Sequence, residues 1–255
     1  VRVLADLVVR RRQKMGLADA ETAVQVHPHP GQHLPLAEQL LLAGPPGHGL
    51  VAELPTRLHR CGLRIDACYA GDLRRQIDTA RHCLAGLRQP ETDIQIDPAF
   101  NEYPSDPVMA AYLPRVRDHI PDTDFYLANA GQYRKEFQRI FSMAVTLWIT
   151  DDNPPQGCPT WQSYVDQVAG GLQRVMAANT DSGQNIAIFA SGGTITAALQ
   201  LITQMPATSA FELNWQIVNT SVSRLQYRAD KVSLAAFNSQ AHLDIHQRPE
   251  WISYR

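Results

Sequence analysis

Apolar positions in this chain switch between two spacings: short unbroken or alternating runs that suit strands, and longer stretches with apolar residues three and four apart that suit helices. The run GLRIDACYAG, residues 62–71, predicts a strand closed by Gly71, and Leu73, Ile77 and Ala80 then continue at helical spacing through Arg81–Leu87 until Gln89-Pro90-Glu91 stops them. Ile94–Phe100 predicts a second strand leading into the loop Asn101-Glu102-Tyr103-Pro104. Helices are predicted over Val108–His119, Tyr133–Ile149 and Trp161–Ala178, with Asp151–Pro159 as a polar, proline-rich connection. In the middle helix Phe137, Ile140, Phe141, Ala144, Val145 and Trp148 form one stripe, which reads as core.

Ile186–Ala190 is a continuous apolar run of the kind that buried parallel strands show. It ends in Ser191-Gly192-Gly193-Thr194, with Thr194 a candidate N-cap for a helix over Ile195–Gln204. Trp215–Asn219, Ser221–Arg228 and Val232–Phe237 read as strands, the last two joined through Ala229-Asp230 as a hairpin, and the polar tail from His242 is expected to be mobile. Alternating strands and helices closed by a hairpin predict an α/β fold. The expected form is a three-layer sandwich, a mixed, mostly parallel sheet with helices on both faces, in one domain over residues 1–255.

The first sixty residues follow neither period for long. Val1–Val9 suits a strand and is followed by Arg10, Arg11, Arg12 and Gln13, but the prolines and glycines of His27-Pro28-His29-Pro30-Gly31 and Gly44-Pro45-Pro46-Gly47-His48-Gly49 interrupt every helical register. A helix-like pattern resumes at Pro55–Cys61.

Composition narrows the function classes. A chain of 255 residues with 44% apolar content can build a large core, and a formal net charge of −2 provides no global field for nucleic acid or an anionic membrane. No apolar run approaches the ~20 residues of a membrane span, so a cytoplasmic protein is expected. Cys61, Cys68, Cys83 and Cys158 form no C-x-x-C pair and no zinc-finger spacing with the nine histidines. Any charged site must therefore be local. The turn after the strand at residues 62–71 delivers Asp72, Arg74, Arg75 and Gln76 to a strand's carboxyl end and a helix's first turn, where anions are favoured; the other reading is a helix start with two solvated arginines. Ser191-Gly192-Gly193-Thr194 repeats that geometry.

Taken together, these segments resemble a known family. YAGDLRRQIDTA resembles the second arginine motif of the histidine phosphatase superfamily (phosphoglycerate mutase-like proteins), S-x-L-x-R-A-x-x-T-A, and FASGGTITAALQ resembles its later H-G-G-x-I motif. NWQIVNTSVSRLQY and LAAFNSQAHL look like its carboxyl-terminal strands, so the resemblance covers about residues 62–242. It implies phosphoryl transfer to a histidine in a pocket of two arginines and two histidines, with a carboxylic acid protonating the leaving oxygen. It implies neither a metal nor a cofactor. Carried over residue by residue, Arg75 stands at the pocket arginine, Leu73 and Thr79 at the flanking positions, Gly71 where serine is common, and Glu102 at the acid–base glutamate. Ser191 replaces the second histidine, and with Gly192 it is expected to line the substrate pocket.

The superfamily's nucleophile motif, R-H-G, is absent. Two segments compete for its place: Arg10-Arg11-Arg12-Gln13, which makes Arg10 a substrate-binding residue but puts arginine at the nucleophile, and His29-Pro30-Gly31-Gln32, which makes His29 the nucleophile. Residues 1–57 are a divergent segment or one translated partly in another reading frame, and sequencing the locus decides between the two. His59 and His82 read as surface or satisfied histidines, and His119, His242 and His246 as solvent-facing. The expected function is a phosphomonoester hydrolase working through a phosphohistidine, impaired or intact; the alternative is a catalytically inactive phospho-ligand binding or regulatory protein. The expected partner is a small phosphorylated molecule.

Overall fold

Alternate residues of the run after Arg64 feed two different cores. The computed structural model describes residues 6–11, 55, 64–228, 231–252 and 254. Along the chain come strand β1 (Asp6–Arg11), strand β2 (Ala67–Ala70), helix α1 (Arg74–Gly86), strand β3 (Ile94–Ile96) and a 3₁₀ turn at Pro98–Phe100. Helices α2 (Ser105–Arg117), α3 (Thr123–Ala128), α4 (Arg134–Ile149) and α5 (Trp161–Ala178) follow. The chain then forms strand β4 (Asn185–Phe189), helices α6 (Gly192–Thr203) and α7 (Ala207–Asn214), strands β5 (Val222–Arg228) and β6 (Lys231–Ser239), and helix α8 (Ala241–Asp244).

The described strands form one six-stranded sheet in the order β3-β2-β4-β1-β5-β6. Strand β2 is parallel to both β3 and β4, whereas β1 is antiparallel to β4 and parallel to β5, and β5 is antiparallel to β6. Strands β2, β3, β4 and β6 therefore share one direction and β1 and β5 the other, the mixed, mostly parallel sheet that the pattern predicts.

Strand β2, and β4 after Asn185, are buried along their length because both faces are covered. Cys68, Ala70, Ala187 and Phe189 pack with Ala80, Cys83 and Leu84 of α1 on one face. Ala67, Tyr69, Ile186 and Ile188 point the other way, into a larger core with α2, α4, α5, α6 and α7. At the middle of that core Trp148 is fully buried, its Nε1–H donating to Pro159 O at 2.6 Å and its ring lying 5.1 Å from Tyr103 and 5.3 Å from Trp161.

The structure corrects four local expectations. Trp215–Asn219 is not a strand: Trp215 caps α7, Gln216 and Ile217 donate to Leu213 O and Asn214 O, and only Val218 bridges to Tyr254. A short apolar run carries too little period to separate a packed turn from a strand. Thr194 is not the N-cap of α6, a place taken by Ser191. The tail is anchored, with His242 and Leu243 buried in α8. His242 is thus not solvent-facing, because its Nε2 lies 3.0 Å from Thr220 Oγ1 inside the fold. His82 and His119 are exposed and His246 is half-buried against the Trp251 ring. Among the described residues no helix is long and apolar enough to cross a membrane.

Replacing Trp148 with alanine removes a buried indole and a hydrogen bond, which costs about 3–5 kcal/mol and lowers Tm by on the order of 10 °C in a thermal melt. An unchanged Tm would show that this side chain is not the centre of the core.

Candidate functional site

Parallel strands deliver their following turns to the same edge of a sheet. Ala70 of β2 lies opposite Phe189 of β4, and Gly71 N–H donates to Phe189 O at 3.3 Å, so the turn into α1 and the turn into α6 stand side by side. Residues after the carboxyl ends of two such strands, at two helix starts, form the crevice in which α/β sheets hold ligands. Gly71, Asp72, Leu73 and Arg75 enter it from β2, and Ser191, Gly192 and Gly193 from β4.

A third segment closes the crevice. The loop after β3 is seated by Asn101, whose Oδ1 accepts from Asp72 N–H at 2.8 Å while its Nδ2 donates to Asp72 Oδ1 at 2.7 Å. Thr194 Oγ1 donates toward Phe100 O at 3.1 Å and Asn101 O at 2.9 Å, and Tyr164 OH donates to Asn101 O at 2.8 Å. On its outer side, Arg174 of α5 holds Asp97 through a fork of bonds at 2.8–2.9 Å. A buried threonine within α6 thus serves as an anchor for the neighbouring loop instead of as a cap.

Glu102 is carried by this loop to the amino end of α6. Its Oε1 accepts from Gly193 N–H and from Tyr103 N–H, each at 3.1 Å. A carboxylate at a helix amino terminus is favoured by the free N–H groups and by the helix dipole. Gly193 makes the approach feasible, since an added Cβ would collide with Glu102 Oε1 and come within 2.5 Å of Tyr103 Cδ1.

Arg75, the second residue of α1, is half-buried with its Nε out of contact with solvent, and Thr79 Oγ1 donates to its backbone carbonyl at 2.6 Å. Arg74 faces outward and reaches Asp78 at 3.4 Å. The structure therefore brings Glu102, Ser191 and Gly192 together and sets Arg75 in the adjoining turn. It does not bring Arg10 there: β1 runs against β4, so Arg10 pairs with Asn185 at the opposite edge, and it is Asp6 that pairs with Phe189. His29 lies outside the described residues.

One residue that the sequence reading delivers to this turn has a role that the reading did not assign. Gln76 is fully buried, and its Nε2 donates to Phe100 O at 2.8 Å and to Ser191 Oγ at 3.0 Å, tying all three segments together. The available signal was a polar residue on the stripe that continues through Ala80, Cys83 and Leu84. Two strands over at the same edge of the sheet, β5 begins: Val222 and Phe189 both pair with Asp6, and Thr220, the partner of the buried His242, lies just before β5.

Gly193→Ala forces the Glu102 loop off α6 and is expected to cost about 1–3 kcal/mol, read as a lower urea midpoint at unchanged slope. A midpoint equal to that of the original chain would contradict this seating of Glu102.

Comparison with known proteins agrees with this architecture. Residues 124–240 match the family model of the histidine phosphatase superfamily (branch 1), a span that includes the Ser191 turn and the β5–β6 pair. No curated protein matches the chain. Among solved structures, phosphoglycerate mutase from Bacillus anthracis str. Sterne superposes with a TM-score of 0.53 at 14% identity, over 97% of this chain and 98% of that one. Mycobacterial glucosyl-3-phosphoglycerate phosphatase, in a complex with VO3, gives 0.52 at 13% identity, over 94% and 100% of the two chains. A mutant phosphoserine phosphatase from Entamoeba histolytica, in complex with phosphoserine, gives 0.50 at 15% identity over the same shares. This chain thus has the phosphoglycerate mutase-like fold that the resemblance implies, and its residues 124–240 match the histidine phosphatase superfamily, branch 1.

Proposed function

We propose that this chain is a histidine phosphatase-like protein whose site takes a small phosphomonoester. The observation that carries the reading is the meeting of the Glu102 loop with the Ser191 turn at the carboxyl edge of β2 and β4, beside the turn that holds Arg75. A phosphoryl group presents several anionic oxygens. A guanidinium can take two of them in a fork, and the first turn of α6 offers a hydroxyl and a favourable dipole to another. In this reading Arg75 clamps the phosphoryl group, Ser191 and Gly192 line its pocket, and Glu102 is the acid–base group.

For hydrolysis, a neutral histidine nitrogen attacks phosphorus and the bond from phosphorus to the leaving oxygen breaks as Glu102 passes that oxygen a proton. Water then attacks the phosphohistidine, returning the proton to Glu102 and releasing phosphate. His29 is the residue assigned to the attack. A second reading, binding without turnover, is favoured by one observation: Ser191 stands where the superfamily motif has a histidine.

Titration with phosphate and vanadate, paired with hydrolysis of an aryl phosphate, tests both. Arg75→Ala is expected to weaken binding about 10- to 100-fold, the worth of a charge-assisted hydrogen-bond pair. Turnover that His29→Ala abolishes assigns the hydrolase, and binding without turnover assigns the phospho-ligand protein. Absence of any phosphate or vanadate binding sinks both readings.

A further inference from the structure

The buried amide of Gln76 has one orientation open to it. Phe100 O can only accept, so the end of the carboxamide that meets it at 2.8 Å is the NH₂ group, and the same Nε2 supplies the hydrogen bond to Ser191 Oγ at 3.0 Å. Ser191 is itself fully buried and makes no side-chain cap bond to α6. One lone pair of its oxygen accepts from the Gln76 donor, and its hydroxyl proton has no protein acceptor among the described residues. A buried O–H without an acceptor is costly, and this one lies in the turn between β4 and the twelve-residue helix α6, beside the Glu102 loop.

Gly71 leaves the space that this amide fills. A Cβ on Gly71 would collide with Gln76 Oε1 and come within 2.5 Å of Asn101 Oδ1, so no side chain larger than hydrogen fits at position 71 while Gln76 holds its place. The superfamily motifs have serine, alanine and histidine where this chain has Gly71, Gln76 and Ser191. The three departures meet in space: the longer side chain at 76 extends over the glycine and reaches the serine.

We propose that Gln76 is a positioning residue for an oxyanion ligand: by donating to one lone pair of Ser191 Oγ it turns the hydroxyl proton away from the amide, and so directs that proton to a phosphoryl oxygen. The inference rests on the phospho-ligand reading above and adds to it a neutral Gln–Ser pair that replaces the charge of a histidine with one directed hydrogen bond. Such a pair recognises an acceptor-only oxygen and contributes no nucleophile.

The experiment is calorimetric titration of the full chain with inorganic phosphate and with vanadate, using Gln76→Met, Ser191→Ala and the double variant. Methionine keeps the length of the side chain, and Phe100 O retains its bond from Thr194. Gln76→Met is expected to weaken phosphate binding about fivefold to tenfold when Ser191 is present, one neutral hydrogen bond's worth, and less than twofold in the Ser191→Ala background. Equal losses in both backgrounds, or no loss in either, overturn the proposal by making Gln76 merely structural. Phosphate binding that Arg75→Ala leaves intact rejects the underlying site instead, and no binding by the original chain rejects both. Should Gln76→Met fail to fold, the side-chain amide signals of Gln76 in the original chain decide. They are expected to shift on phosphate addition with the same Kd as the titration, and signals that stay still overturn the inference.

Discussion

The parallel pairing of β2 with β4, in the register that sets Ala70 opposite Phe189, is the constraint on which the candidate site depends. Neighbouring strands lie about 4.8 Å apart, so two turns that leave them at the same edge are held within reach of single side chains. That register is strongly specified, because each strand is buried on both faces. Sliding β2 by one residue would send the large Tyr69 ring into the side packed on α1 and leave small Cys68 and Ala70 facing the larger core. The packing that fills the two cores is therefore also what aligns Gly71 with Ser191.

Between those turns, buried polar groups decide the rest. The loop after β3 carries Glu102 on a strand of only three residues, too short to hold a position by itself. Its place comes from the bonds of Asn101 to Asp72 and from Thr194, Tyr164 and Gln76, whose donors serve the loop carbonyls of Phe100 and Asn101. Such a network is demanding: the contribution of each bond is modest, but an unfilled donor or acceptor is expensive, so the loop has one well-defined seat. The same reasoning explains the two glycines, where a Cβ would occupy the space of a hydrogen-bonded oxygen from another segment.

Much of the fold was legible along the chain. The stripe from Phe137 to Trp148, the continuous run at Ile186–Ala190 and the β5–β6 pair all lie where the pattern sets them, because each is long or regular enough for its period to show. Trp215–Asn219 and the tail at His242 did not read correctly, because their burial comes from contacts distant in sequence, with Leu243, Trp251 and Ile252 for Val218 and with Thr220 for His242. Arg10 was placed by the likeness of Arg10-Arg11-Arg12-Gln13 to a motif that follows a first strand. Local pattern specifies a strand but not its direction in a sheet, and β1 pairs antiparallel. Thr194 has the chemistry of a cap, yet its hydroxyl is used across a turn from a different part of the chain.

By itself, the sequence determined an α/β alternation of strands and helices and an order of segments that resembles the histidine phosphatase superfamily, with Arg75 and Glu102 at positions like those of its motifs and Ser191 where its second histidine would stand. These follow from local periodicity and from ordered motifs, both properties of neighbours along the chain. Only the tertiary structure decided which way β1 runs, that Glu102 rests on the amino end of α6, and that Gln76 joins Ser191 to the loop after β3. Those outcomes depend on burial, which forces polar groups far apart in sequence to find partners in one small volume, and no stretch of residues read alone contains that information.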